Sequence, residues 1–126
     1  MKKNNALPYI LDKETGDFLA GKSEQTLQLF HAFLQQFSKV GPISLHAAKT
    51  MIGISNGTHR IAWITQLGRN FVHIVFPFTI PYPDNLCFQK IAQVPGSEQY
   101  NHHLRIFHTA DINEEVQQFM KKAYKG

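Results

Sequence analysis

Apolar residues recur at helical spacing in two segments, one in the first third of the chain and one at its end. In residues 23–38 they lie three or four positions apart, as on one face of a helix. This stripe consists of Leu27, Phe30, Leu34 and Phe37. Ser23 suits the N-cap, and Gly41-Pro42 stops the helix. We therefore predict a helix over residues 23–38 whose stripe belongs to the core.

The C-terminal segment carries the second stripe. Its apolar members are Ile112, Val116, Phe119, Met120, Ala123 and Tyr124. Asp111-Ile112-Asn113-Glu114 has the spacing of a capping box with an acid at both ends. Three lysines, Lys121, Lys122 and Lys125, lie at the opposite end, where the helix dipole favours cations. We predict a helix over residues 111–125 that Asp111 opens.

The middle of the chain has the pattern of strands joined by tight turns. Residues 50–55 and 59–65 flank Asn56-Gly57, which favours a type I′ hairpin turn. A second reversal at residues 67–70 leads into an apolar strand over residues 71–78. Further strands are predicted at residues 43–46, 88–94 and 100–107.

These elements predict an α+β fold. An antiparallel β-meander sheet of about five or six strands would be packed by an N-terminal and a C-terminal helix. We expect residues 1–22 to form an N-terminal arm and residues 23–126 to form a single domain. Within the arm, Asp12 to Gly16 has the composition of a turn, and a short hairpin is an alternative.

The strand at residues 71–78 is apolar at nearly every position. Strands that face water on one side usually alternate apolar and polar residues. Two interpretations follow: the strand is central and covered on both faces, or its second face is the interface of a homodimer.

Composition limits the class of protein. Of the 126 residues, 43% are hydrophobic and ten are Phe, which indicates a packed core. The single cysteine, Cys87, cannot form an internal disulfide or a multi-cysteine zinc site. A reducing cytoplasm is the compartment we expect, with no export signal and no membrane span.

The net charge of +4 comes from 13 basic and 9 acidic residues. The basic residues are scattered singly until the lysines of the last helix, whereas nucleic-acid binders usually show a cluster. An ordinary solvated surface is therefore favoured over a nucleic-acid footprint, although a contact with phosphate stays open.

The seven histidines do not have the spacing of a metal site, so we expect neither a metal nor a cofactor. His102 is in phase with Leu104 and Ile106, so it should face inward beside Tyr100. A core histidine bonded to a backbone carbonyl is the favoured interpretation. A pocket histidine that transfers protons is the alternative.

Three cations lie on or next to the predicted strands: Lys49, Arg60 and Arg105. On one sheet they could hold a carboxylate or phosphate, or form a solvated face. With Tyr100 and His102 they complete our candidate ligand-binding set. The sequence contains neither a phosphate-binding loop nor a nucleophile motif.

Several short stretches together carry a family resemblance. They are Gly21-Lys22, Gly41-Pro42, Lys49-Thr50 with Gly53, Arg60-Ile61-Ala62, Tyr100-x-His102-x-Leu104-Arg105, Asp111-Ile112-Asn113 and Ala123-Tyr124. In this order and spacing, the chain from about residue 18 to its end resembles a bacterial family known as domain of unknown function 5655. The resemblance implies a small α+β protein with an antiparallel sheet and draws attention to Lys49, Tyr100, His102 and Arg105. It brings no established activity.

Some members of that family carry an N-terminal zinc ribbon, and others follow a nuclease-like domain. The ribbon cysteines are absent here, so no zinc is implied. The family often has an arginine near the position of Cys87-Phe88, and its replacement weakens the expectation of a shared anion site. Ile61 stands where the family often has Phe.

Three functions follow as hypotheses. The favoured one is a non-enzymatic module that binds a small anionic ligand or a protein partner through the sheet face near Lys49, His102 and Arg105. The second is an enzyme in which His102 acts as acid or base and Lys49 or Arg105 holds charge. The third is an accessory role with nucleic acid.

Overall fold

The computed structural model describes residues 12–126, which form three α-helices and six β-strands. The helices are α1 (Lys13–Leu19), α2 (Glu24–Ser38) and α3 (Glu114–Lys125). The strands are β1 (Ser44–Ala47), β2 (Ile52–Ser55), β3 (Arg60–Leu67), β4 (Val72–Phe78), β5 (Lys90–Gln93) and β6 (Tyr100–Ile106). A single 3₁₀ turn, Thr109–Asp111, precedes α3. None of the helices in this part of the chain is long and apolar enough to cross a membrane.

The six strands form one antiparallel sheet in the order β1-β2-β3-β4-β6-β5. This arrangement confirms the predicted α+β class and the meander from β1 to β4. Helices α2 and α3 pack on one face, where Phe33 lies 6.4 Å from Phe76 and Phe119 lies 5.7 Å from Phe78, measured between ring centroids. We call the opposite face, which neither of these two helices covers, the open face.

Strand β4 is central and buried on both sides. Its residues Val72, Ile74, Phe76 and Phe78 belong to the core beneath the helices. On the open face, His73 is 9% exposed and Val75 is 5% exposed. Val75 pairs with Trp63 of β3 and His103 of β6, so neighbouring strands supply its cover.

The predicted turn at Asp12 to Gly16 is wrong. Asp12 is the N-cap of α1, and its Oδ1 accepts a hydrogen bond from the amide of Thr15 at 2.8 Å. Seven residues are too few to display a helical stripe, and only Thr15 and Leu19 of this helix are buried. The remainder of the predicted arm, residues 1–11, lies outside the described residues.

The predicted type I′ turn at Asn56-Gly57 is also wrong. Gly57 has a φ of 96°, but no non-glycine residue in the described range has a positive φ, and type I′ needs two. The Oδ1 atom of Asn56 instead accepts hydrogen bonds from the amides of Thr58 at 2.9 Å and His59 at 3.1 Å. Its amide group also donates to the Tyr124 carbonyl at 2.8 Å, which ties this reversal to α3.

Helix α3 begins later than predicted. Asn113 is its N-cap, because Oδ1 of that residue accepts from the Val116 amide at 3.0 Å. Asp111 ends the 3₁₀ turn and accepts from the amides of Phe107 at 2.9 Å and His108 at 3.0 Å. Both residue types suit capping, so composition alone did not decide between them.

We expect Asn113→Ala to lower the free energy of unfolding by about 1 kcal/mol, the usual cost of losing a side-chain N-cap. Urea unfolding followed by the fluorescence of Trp63 would measure it. Asn113→Asp is the matched control, because it keeps the acceptor and adds a charge that the helix start favours. Equal losses in the two variants would contradict the cap assignment.

Candidate functional site

His102 lies on the helix side of β6 and has no exposed surface. Its Nε2 accepts a hydrogen bond from the Tyr82 amide at 3.1 Å. The proton must then be on Nδ1, which donates to the Tyr100 carbonyl at 2.9 Å. Both ring nitrogens are therefore occupied by backbone groups, as in the favoured interpretation of a core histidine.

Aromatic rings enclose the same imidazole. The ring centroids of Phe88, Phe78 and Tyr82 lie 4.9, 5.0 and 5.5 Å from that of His102. Burial lowers the pKa of His102, so the ring is neutral at neutral pH. The arrangement stabilises the core and offers no nitrogen to a substrate.

The other predicted site residues are spread over the sheet. Lys49 is exposed in the turn between β1 and β2, whereas Arg60 opens β3 and pairs with Ser55 at the far end of β2. Tyr100 opens β6 and is half-buried. Arg105 lies on the open face, opposite to the side on which His102 is buried. The structure thus does not bring Lys49, His102 and Arg105 together.

A chain of hydrogen bonds crosses the open face between β4 and β6. Nε of Arg105 donates to Nδ1 of His73 at 3.0 Å. With Nδ1 occupied as an acceptor, the neutral His73 ring carries its proton on Nε2, which donates to Nδ1 of His103 at 2.9 Å. Nε2 of His103 must then carry that ring's proton. The chain ends in an N–H donor.

Both imidazoles of this chain are held in the neutral form. Burial, reinforced by the charges of His103 and Arg105, lowers the pKa of His73. Burial, reinforced by the charge of Lys90, lowers the pKa of His103. A proton added to either ring would occupy an acceptor nitrogen and break one of the two hydrogen bonds.

Arg105 is held by its neighbours while its charge remains unpaired. The guanidinium carbon lies 4.5 Å from the centroid of the Phe71 ring, which in turn lies 5.7 Å from that of Phe107. Only Lys13 and Asp17 form an ion pair within residues 12–126, and they lie on α1. The guanidinium is therefore fixed in position and has no carboxylate partner among those residues.

A groove of about 400 Å³ lies beside His103 on the open face. Its walls include Trp63, Val75, Gln99 and Asn101. The Gln99 amide group donates to Oδ1 of Asn101 at 2.8 Å, so the NH₂ group of Asn101 remains a donor. The groove combines an aromatic wall with polar donors, a combination found in small-molecule sites.

The sheet as a whole is cationic. Its six strands contain no Asp and no Glu, but they contain Arg60, Lys90 and Arg105. Arg60 lies flat across Gly53, because a Cβ on that glycine would come within 2.7 Å of the arginine Nε. Glycine at this position therefore leaves room for a cation on the open face.

Sequence reasoning missed His73 and His103. Alternation along β6 put His103 and Arg105 on one face, but it could not place His73 beside them. That contact depends on the register of β4 and β6, in which His73 is opposite Arg105 and His103 is opposite Val75. The available signal was a histidine in the middle of an otherwise apolar strand.

Neither metal nor thiol chemistry gains support from the geometry. Within residues 12–126, no group of three or more His, Cys, Asp or Glu side chains could hold a metal ion. Burial and the nearby Glu115 carboxylate raise the pKa of the Cys87 thiol to about 12. This cysteine is consequently protonated and unreactive at neutral pH.

We expect the hydrogen-bond chain to be destabilised by acid. The folded pKa values of His73 and His103 lie below the ordinary value of 6.5, so the unfolded chain binds protons first. Their contribution is full above about pH 6.5, the unfolded value, and is lost as the pH falls below it and through the lowered pKa values of the folded state. Urea unfolding at about pH 7.5 and about pH 5 would measure the loss.

The double variant His73→Gln/His103→Gln is the control, because it should show a smaller loss while His31 and His102, whose pKa values are also lowered, still contribute. Long-range ¹H–¹⁵N spectra should find protons on Nε2 of His73 and His103 and on Nδ1 of His102. A proton on Nδ1 of His73 would contradict the assigned hydrogen bond, in which this nitrogen accepts from Arg105.

We expect His102→Ala to lower the free energy of unfolding by about 3 kcal/mol, because it leaves a cavity and two partly buried backbone groups without partners. Urea unfolding would measure the loss. His103→Ala is the matched control on the adjacent residue and should cost clearly less. Equal costs would contradict the structural role of His102.

Comparison with known proteins gives a family and nothing more specific. A family model described as Domain of unknown function (DUF5655) matches residues 15–125. No curated protein and no solved structure matches the chain. The family match takes in α2, all six strands and α3. The chain therefore belongs to the DUF5655 family, whose function is unknown.

Proposed function

We propose that this chain is a non-enzymatic binding module that holds an anionic group of a small ligand on the open face of its sheet. The observation that carries the proposal is the series of hydrogen bonds that runs in one direction from Arg105 through His73 to His103. It ends in an N–H group beside a groove, and its charge comes from an arginine without a carboxylate partner among residues 12–126.

The same chain favours binding over acid–base catalysis. A general base needs a free lone pair within reach of the substrate. Nδ1 of His73 is occupied by Arg105, and Nδ1 of His103 is occupied by His73. The terminal Nε2–H of His103 can donate a hydrogen bond. Either imidazole can accept a proton only if one of the two hydrogen bonds, Arg105–His73 or His73–His103, breaks. A ligand carboxylate or phosphate oxygen is the acceptor that suits this donor.

The groove supports a ligand with an apolar part as well as an anion. Trp63 and Val75 supply apolar surface next to the donors of His103 and Asn101. The open face also lacks carboxylates on every strand, so an approaching anion meets no local repulsion from the sheet. A cytoplasmic location is part of the proposal and is supported by the single free cysteine, which suits a reducing compartment. The bacterial origin in the proposal rests on the family resemblance alone.

We expect benzoate to change the fluorescence of Trp63, the only tryptophan of the chain, while benzyl alcohol, a neutral analogue, does not. Arg105→Gln should weaken the benzoate response, because the hydrogen-bond series loses its positive charge and its first donor. Lys121→Gln is the matched control: it removes the same charge from the groove between α2 and α3. Equal responses to the two probes, or equal losses in the two variants, would overturn the proposal.

A further inference from the structure

The groove on the open face adjoins a second depression at the end of the sheet, beside the last turn of α3. This depression of about 200 Å³ shares Trp63 and Gln99 with the first and extends to Arg60 on β3 and to Lys122 on α3. The two depressions therefore form a continuous path, with cations at its far end. No strand contributes a carboxylate to this path.

The length of the path follows from the sheet register. Arg60 lies three residues before Trp63 on β3, Trp63 is opposite Val75, and Val75 is opposite His103. Arg105 lies two residues further along β6, which runs parallel to β3. With a rise of about 3.3 Å per residue and strands about 4.8 Å apart, the Cα atoms of Arg60 and Arg105 are roughly 20 Å apart along the diagonal.

Aromatic rings lie between and beyond these two cations. Trp63 is in the middle of the diagonal, next to the imidazole of His103. Phe71 lies against the Arg105 guanidinium, and Phe107 beside it is 39% exposed. Cations and rings thus alternate across a sheet surface, as required where phosphates and unstacked bases must be held together.

We propose that the open face binds a short single strand of nucleic acid, with backbone phosphates at Arg60 and Arg105 and a base stacked on Trp63. This inference rests on the proposed function, since the anion held there would be a backbone phosphate. A phosphate ion or a single nucleotide is too short to contact both arginines. A segment of about four nucleotides, at the low end of the site sizes of sheet-based single-strand binders, spans the path.

Charge and shape select this partner over two others. In a duplex the base faces are stacked inside, so the exposed rings would have nothing to contact. An acidic peptide would satisfy the cations but would leave the rings without planar partners. The amide pair of Gln99 and Asn101 beside Trp63 adds donors and acceptors that suit the edge of a base.

The test uses the full chain and fluorescein-labelled oligothymidine and oligouridine of about eight nucleotides, followed by anisotropy. Both oligonucleotides should bind. A duplex of the same length and an oligoglutamate peptide should bind at least fivefold more weakly. With phosphate contacts at Arg60 and Arg105, affinity should fall roughly sevenfold between about 50 and 200 mM salt. Equal binding of duplex, oligoglutamate and single strand would overturn the inference.

Three variants locate the contact, once circular dichroism has verified that each is folded. Trp63→Leu keeps an apolar side chain but loses the ring, and it should weaken binding at least fivefold. Arg60→Gln should weaken binding, whereas Lys121→Gln, with the same loss of charge on the helix side, should bind nearly as the unmodified chain does. Equal losses in these two charge variants would overturn the inference, because they would indicate unspecific attraction.

Inorganic phosphate and benzoate, followed by Trp63 fluorescence, separate the inference from the proposed function. If either small anion binds at the groove and the oligonucleotides bind no tighter than phosphate, the inference is wrong and the proposed function stands. If no small anion and no oligonucleotide binds, both are wrong. A single strand that binds tighter than phosphate and loses affinity in Trp63→Leu and Arg60→Gln supports both.

Discussion

The antiparallel ladder between β4 and β6 is the constraint on which the rest of the structure depends. It runs without a register shift through seven residue pairs, from Val72 with Ile106 to Phe78 with Tyr100. Because side chains alternate, this one register puts His102 in the core and Arg105 on the open face. A slip by one residue would bury the guanidinium, at a cost of several kcal/mol, so the register is strongly specified.

The core is built on the helix side of the same ladder. The ring centroid of Phe76 lies 6.4 Å from that of Phe33 and 6.3 Å from that of Phe37, so Phe76 packs against α2. The ring centroid of Phe78 lies 5.7 Å from that of Phe119, so Phe78 packs against α3. His102 fills the remaining space among these rings with both nitrogens bonded to backbone. The side chains of the open face consequently project from a rigid support, which is what a preorganised binding surface needs.

Sequence reasoning succeeded where one local rule decided the outcome. Alternation along residues 100–107 indicated the last strand and the inward side of His102. The apolar run at residues 71–78 indicated a strand covered on both faces, and a central position was one of the two interpretations of it. Sequence reasoning failed where two local rules competed or where contacts came from distant strands. Asp111 and Asn113 are both good caps, so only the packing of α3 decides between them. The contact of His73 with Arg105 requires a strand pairing across 32 residues of sequence, which no local pattern encodes.

Two adjacent histidines have different consequences because of what their nitrogens contact. Burial lowers the pKa of both His102 and His103, so charge does not distinguish them. His102 has its donor and its acceptor taken by backbone groups, whereas His103 has only its acceptor taken and keeps an N–H group at the groove. The cations of the open face are a second reason to expect binding there. A strand surface that carries arginine and lysine without carboxylates gains nothing in stability from that imbalance, because like charges repel. Folding alone does not account for this surface, whereas the proposed anionic ligand would.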